Sequence, residues 1–107
     1  MKLRHYVYVI ELNPRVWSEA KFRKSNTEYV PGSPCVYVGM TALDPDLRFD
    51  QHKAGIRANR FARDYGERLA WDWMDELKQP MSAQDARYNE VDFAIRLRKL
   101  GWAVWQA

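Results

Sequence analysis

The chain of 107 residues contains one cysteine and no long hydrophobic run. A single cysteine excludes an internal disulfide, and alone it cannot form a zinc site. The mean hydropathy is −0.60, and a transmembrane helix needs about 20 consecutive apolar residues. The apolar stretch near the N-terminus is too short and too rich in tyrosine for a signal peptide. We therefore expect a cytoplasmic protein with no membrane partner.

The chain also lacks a large excess of charge of either sign, since its net charge is only +3. A value this small predicts no class of partner by itself. Hydrophobic residues make up 47% of the chain and charged residues 29%, which is typical of a folded protein rather than a disordered one. Because 107 residues are too few for two cores, residues 1–107 are expected to form one domain.

Two stretches rich in β-branched and aromatic residues, 5–12 and 34–40, predict strands. The first is expected to be covered on both faces. The polar stretch between them, about 13–34, is predicted to be an ordered insertion with a short helix from Trp17 to Lys24. Residues 67–73 alternate in the manner of a strand, but a helix fits the same stretch equally well.

Helix signals dominate the rest of the chain. Asp44-Pro45 predicts a helix that ends near residue 53 or 54, and a second short helix is expected at about 58–64. Ser82, followed three residues later by Asp85, begins the clearest helix, which Gly101 ends; residues 102–105 look like a brief final strand. The apolar face of that helix is predicted to contain Ala86, Val91, Phe93, Ala94, Leu97 and Leu100.

The positive charge is concentrated between residues 51 and 63, a stretch that contains no acidic residue. Its basic residues are Lys53, Arg57, Arg60 and Arg63. Such a cluster can supply phosphate contacts and salt-dependent nucleic-acid affinity. The alternative is an ordinary solvated helix surface.

Four short motifs occur in a defined order. Tyr6-Val7-Tyr8 and Val36-Tyr37-Val38-Gly39 lie on the two predicted strands. Arg48 and His52 are one helical turn apart and so share a helix face, and Glu90 lies in the last helix. In this order the set resembles the GIY-YIG nuclease superfamily.

The resemblance extends over most of the chain. Residues 48–55, 63–66 and 97–105 are similar to small stand-alone bacterial members. Tyr6 stands where the first motif normally begins with glycine, and the two tyrosine motifs are farther apart than in the shortest members because of the insertion at about 13–34. No asparagine after Glu90 can be matched to the one found in the phage homing endonucleases.

The resemblance implies an α+β fold with a small three-stranded antiparallel sheet flanked by helices. It implies a metal-dependent endonuclease that acts on nucleic acid, DNA in preference to RNA, with single-stranded or branched DNA among the candidate substrates. The expected cofactor is Mg²⁺ or Mn²⁺ in a single-metal mechanism. A protein partner is a candidate source of specificity, and a monomer or weak dimer is expected.

The implied catalytic residues each have a role. Glu90 would bind the metal, since magnesium prefers hard oxygen ligands, and Arg48 would hold a phosphate oxygen. Tyr8 resembles the tyrosine proposed as general base, Tyr37 would orient the water or phosphate beside it, and His52 would relay the proton of Tyr8 or contact the phosphate.

Other interpretations of these residues stay open. Asp92 is the alternative metal ligand if the helix register differs. The tryptophans are expected to pack in the core and at its edges, with Trp17 as the exception, and Cys35 is expected to be a small buried apolar side chain. The alternative function is a non-catalytic nucleic-acid-binding module with the same fold and basic face. A protein-interaction domain is a third reading.

Overall fold

A computed structural model describes residues 3–107 and shows a four-stranded sheet with helices on both faces. Strands β1 (Tyr6–Leu12) and β2 (Cys35–Thr41) pair antiparallel at its centre. The two outer strands are β3 (Gly66–Leu69), antiparallel to β1, and β4 (Ala103–Gln106), parallel to β2. The α+β class is confirmed.

The expected three-stranded antiparallel sheet is wrong, because the final stretch adds a fourth strand in parallel. A parallel pair needs a long crossover between its strands, and the whole segment from β2 to β4, which includes the longest helix, supplies it. The stretch predicted as either strand or helix is partly each: β3 is followed at once by a 3₁₀ helix at Trp71–Met74.

Helix α1 (Ala20–Lys24) and a 3₁₀ helix at Pro14–Ser18 lie in the insertion. Helices α2 (Pro45–Lys53) and α3 (Arg60–Tyr65) follow β2, and α4 (Ala83–Lys99) precedes β4. Asp44 and Ser82 cap α2 and α4 as predicted, each accepting a hydrogen bond from a backbone N–H two or three residues later.

Alternation along the strands divides the core into two layers. Tyr8, Ile10 and Tyr37 share one face, towards α2 and α3, while the valines of β1, β2 and β4 share the other, towards α4. Residues 7–10 of β1 are all buried, so the prediction that both faces of this strand are covered is confirmed.

The apolar face predicted for α4 is confirmed in part. Ala86, Phe93, Ala94 and Leu97 are buried, but Val91 and Leu100 are 41% and 68% exposed, because they lie on the side of the helix away from the sheet. Within residues 3–107, no helix combines the length and hydropathy needed to cross a membrane.

The insertion is ordered and is joined to the edge of β4 by a buried asparagine. The Oδ1 of Asn26 accepts the Val104 backbone N–H at 2.7 Å, and its Nδ2 donates to the Phe22 carbonyl at 2.9 Å. A guanidinium N–H of Arg98 donates to the Val104 carbonyl at 2.9 Å. These bonds satisfy the outer backbone groups of Val104, which an edge strand would otherwise expose.

Candidate active site

Tyr8 lies across the backbone of β2 because position 39 has no side chain. Tyr8 and Gly39 are direct cross-strand partners. A Cβ at Gly39 would lie 2.7 Å from the Tyr8 Oη and 3.1 Å from Cε2 of Tyr37, which is closer than nonbonded atoms tolerate. The glycine of the second motif thus makes room for the tyrosine of the first, and it brings the two tyrosine rings together with their centroids 6.1 Å apart.

His52 completes a buried cluster with these tyrosines. It projects from α2 with no exposed surface; its ring centroid lies 5.1 Å from that of Tyr37, and its Nε2 lies 2.8 Å from the Tyr8 Oη. The one-turn spacing of Arg48 and His52 in the sequence therefore places both beside the tyrosine pair.

The hydrogen bonds of His52 determine which ring nitrogen carries the proton. The Asn59 backbone N–H donates to Nδ1 at 3.1 Å, so Nδ1 acts as an acceptor and the neutral ring carries its proton on Nε2. Nε2–H then donates to the Tyr8 oxygen, and the hydroxyl proton of Tyr8 is directed away from His52.

Burial lowers the pKa of His52 to about 4, and the positive charge of Arg48 acts in the same direction. The imidazole is therefore neutral near pH 7. A relay of the Tyr8 proton to His52 does not fit this arrangement, because Nε2 is already protonated. Direct phosphate contact by His52 does not fit either, because the side chain is completely buried.

The two tyrosines differ in acidity. Burial raises the pKa of Tyr8 far above its ordinary value, and the neighbouring Tyr37 raises it further, while Arg48 lowers it. Burial also raises the pKa of Tyr37, but there the Tyr8 hydroxyl and the charge of Arg48 both lower it. Tyr37 is 4% exposed and Tyr8 only 1%. Tyr37 is consequently the better placed of the two to ionise.

Arg48 joins the cluster to the loop that follows α2. Its guanidinium donates to the Gln51 Oε1 at 3.1 Å, to the Ile56 carbonyl at 3.3 Å and to the Arg57 carbonyl at 2.9 Å. These bonds engage three of the five N–H donors of a guanidinium. The side chain is half-buried, so it has a structural task and keeps donors for a ligand.

Glu90 projects from α4 towards the final strand, β4. Its Oε1 accepts a hydrogen bond from the Gln106 Nε2 at 2.9 Å, and Gln106 pairs in register with Val38, on the sheet face opposite Tyr37. Glu90 as a whole is 6% exposed. Its charge raises the pKa of Tyr37, which is the electrostatic link between Glu90 and the cluster.

Opposing effects act on the pKa of Glu90, and only some of them favour the charged carboxylate that would bind a cation. Burial raises its pKa, while the Gln106 amide and the charge of Arg87 lower it. Asp92, the alternative ligand, pairs with Arg96 at 3.1 Å on the helix surface, so Glu90 is the carboxylate of this helix that faces the sheet. Among residues 3–107, no group of three or more His, Cys, Asp or Glu side chains converges on one point. A metal here would have Glu90 as its protein ligand and would need water and phosphate for the other positions.

Most of the basic side chains predicted to bind nucleic acid already have hydrogen-bond or ion-pair partners within the protein. Arg60 pairs with Glu19 at 3.0 Å, and Arg63 pairs with Asp64 at 2.8 Å. Lys53 donates to the carbonyls of Arg63 and Gly66, both at 2.8 Å, and thereby fixes the start of β3. Arg57 is exposed. An acid-poor stretch of sequence thus receives acidic partners from the insertion and from its own helix.

Sequence reasoning missed two residues of this site, Asn59 and Gln106, and the role of a third, Gly39. Asn59 could have been found, because an asparagine before a helix is a strong N-cap signal, and its side chain does accept the Phe61 and Ala62 backbone N–H groups. The contact of Gln106 with Glu90 depends on the parallel register of β4 and had no local signal. The role of Gly39 depends on its cross-strand partner.

Trp17, the tryptophan singled out in the sequence, is not beside the cluster. It packs against Tyr29 and Phe22, with ring centroids 4.5 and 6.4 Å away, and Phe22 in turn packs on Phe61 in the main hydrophobic core. Cys35 is 2% exposed, and its prediction as a buried apolar side chain is confirmed.

A scan of protein-family models finds no match to this chain, and searches of curated proteins and of solved structures find none either. The family resemblance consequently depends on the sequence motifs alone.

Proposed function

We propose that this protein is a metal-dependent endonuclease that hydrolyses phosphodiester bonds in nucleic acid, with DNA preferred to RNA. The observation that carries the proposal is the buried Tyr8–His52 hydrogen bond beside Tyr37 and Arg48. Burying polar and titratable groups costs stability compared with an apolar core. Strongly perturbed pKa values in a cluster of this kind are typical of functional sites.

The chemistry divides among the residues as follows. The guanidinium of Arg48 has donors for a non-bridging phosphate oxygen. Tyr37 orients the attacking water or the phosphate through its hydroxyl, which stays protonated near neutral pH because burial raises its pKa, although the charge of Arg48 acts in the opposite direction. His52 holds the Tyr8 oxygen through Nε2–H and so fixes the position of the pair.

Glu90 would hold Mg²⁺ or Mn²⁺. A bound divalent ion would act as a Lewis acid on the phosphate and would help to activate water. Gln106 fixes the orientation of the carboxylate through Oε1.

The test is cleavage of labelled single-stranded DNA, duplex DNA and RNA in Mg²⁺ or Mn²⁺ by the wild type, Glu90→Gln and Arg48→Ala. We expect both substitutions to abolish metal-dependent cleavage. Asp92→Asn is the matched control, since this carboxylate lies on the same helix but faces solvent, and it should keep wild-type activity. Equal cleavage by Glu90→Gln and the wild type would contradict the proposed metal site.

A second function, a non-catalytic nucleic-acid-binding module, is favoured by one observation. Arg48 donates three hydrogen bonds within the protein, so its position is explained by loop structure alone. Nucleic-acid binding by the wild type without cleavage in either metal would support this function over the nuclease.

A further inference from the structure

Beside Tyr37, on the same face of the sheet, lies an aromatic ring that the proposed mechanism does not use. Trp105 of β4 pairs in register with Tyr37 of β2, and parallel neighbours lie about 4.8 Å apart. Trp105 is partly exposed. Its position places an indole within reach of a nucleotide adjacent to a phosphate held at the cluster.

Cationic side chains flank this ring. The Lys21 Nζ lies over the Trp105 ring, 5.5 Å from its centroid, and Phe61 packs edge-on against the same ring at 4.8 Å. Over Phe61 lies the guanidinium of Arg60, 4.6 Å from its centroid, although Arg60 also pairs with Glu19. Aromatic faces interleaved with cations are the combination that binds single-stranded nucleic acid, because bases stack on the rings and phosphates meet the charges.

The lysine of this site comes from the insertion and the tryptophan from the chain's last strand. Lys21 belongs to α1, and Asn26, directly after α1, is hydrogen-bonded to β4 at Val104. The tether holds α1 against the strand that carries Trp105. Lys21 is exposed and its contact with the ring is a cation–π interaction, worth only about 0.5–1 kcal/mol at exposed sites. A nucleobase can therefore displace the ammonium from the ring and leave it free for a phosphate.

From this geometry we infer that Trp105 and Lys21 form a stacking platform for one unpaired base of a single-stranded nucleic acid, next to the candidate active site. The inference rests on the proposed function and specifies its substrate as single-stranded, because a paired base in a duplex cannot present its face to the ring.

The experiment measures fluorescence anisotropy of labelled oligothymidine with the Glu90→Gln protein, so that cleavage does not intervene. Trp105→Leu should weaken binding about tenfold. The matched control is Trp71→Leu, since Trp71 is 44% exposed and follows β3, at the sheet edge opposite β4, and it should change binding by less than about twofold. Trp105→Phe keeps an aromatic face and should recover part of the loss.

An oligonucleotide of abasic sites separates stacking from folding. It keeps the phosphates but has no bases, so Trp105→Leu should bind it as tightly as the parent protein does. A misfolded variant would instead lose affinity for both ligands. Lys21→Gln should reduce the slope of log K against log salt concentration by about 0.7, while Lys24→Gln on the same short helix should leave the slope unchanged.

Equal affinities of the Trp105→Leu and Trp71→Leu proteins for oligothymidine would overturn the platform. If the wild type still cleaved DNA in that case, the proposed function would stand without it. Base-dependent binding through Trp105 with no cleavage by the wild type would support the platform and contradict the nuclease. Absence of both binding and cleavage would overturn both.

Discussion

Protonation of His52 should destabilise the protein, because the folded structure buries the imidazole in its neutral form. The ordinary pKa of histidine is 6.5, and burial beside Arg48 lowers that of His52 to about 4. The folded protein therefore holds the ring neutral, whereas the unfolded chain binds a proton below pH 6.5. The stability due to neutral His52 is fully present above pH 6.5 and is lost as the pH falls towards 4. The loss is about 3 kcal/mol in all, and about 2 kcal/mol by pH 5.

Urea unfolding between pH 7.5 and pH 5 measures this loss, with His52→Gln as the comparison. Carboxylates such as Glu90 titrate in both proteins, so their contribution cancels in the difference. We expect the wild type to lose about 2 kcal/mol more than His52→Gln over this range. His5→Gln, at the other histidine, should behave as the wild type does. A wild-type loss equal to that of His52→Gln would refute the argument that the ring is buried in its neutral form.

Three further substitutions test the contacts that position the site. Gly39→Ala should destabilise the protein by about 1–3 kcal/mol in urea, because its Cβ overlaps Tyr8; in a Tyr8→Leu background the same change should cost much less, and an equal cost would show that the ring is not the obstacle. Gln106→Ala should raise the pKa of Glu90 in an NMR titration, since it removes the donor to that carboxylate; an unchanged or lower pKa would contradict the contact. Asn26→Ala should cost about 2–4 kcal/mol, because it leaves buried backbone groups unpaired, whereas Asn26→Asp, which keeps the acceptor, should cost less; equal costs would argue against the tether.

Helices were predictable because their signals are local. Asp44 and Ser82 cap the helices that follow them, and Gly101, with a φ of 89°, follows α4 in the left-handed conformation that glycine adopts readily. A cap depends on residues two or three positions away, so the sequence contains the whole interaction. The one-turn spacing of Arg48 and His52 predicted a shared face for the same reason.

The sheet was predicted less completely, because strand pairing joins residues that are distant in the chain. Residues 102–105 looked like a strand, but nothing local indicates that β4 would pair with β2 in parallel. The sequence likewise does not show which distant acidic residues will pair with a basic stretch. The stretch from residue 51 to 63 contains a run of basic side chains, yet Glu19, more than 30 positions earlier, lies against Arg60.

By itself, the sequence predicted the capped starts of α2 and α4, and its family resemblance implied the α+β class and Tyr8, Tyr37, Arg48, His52 and Glu90 as the residues to examine. The caps and the motifs that carry the resemblance are local properties of the chain. Only the tertiary structure decided that His52 donates to Tyr8, because the backbone N–H of Asn59 occupies its other nitrogen. It also brought Gln106 to Glu90 and placed Trp105 beside Tyr37, because strand register fixes which side chains share a face.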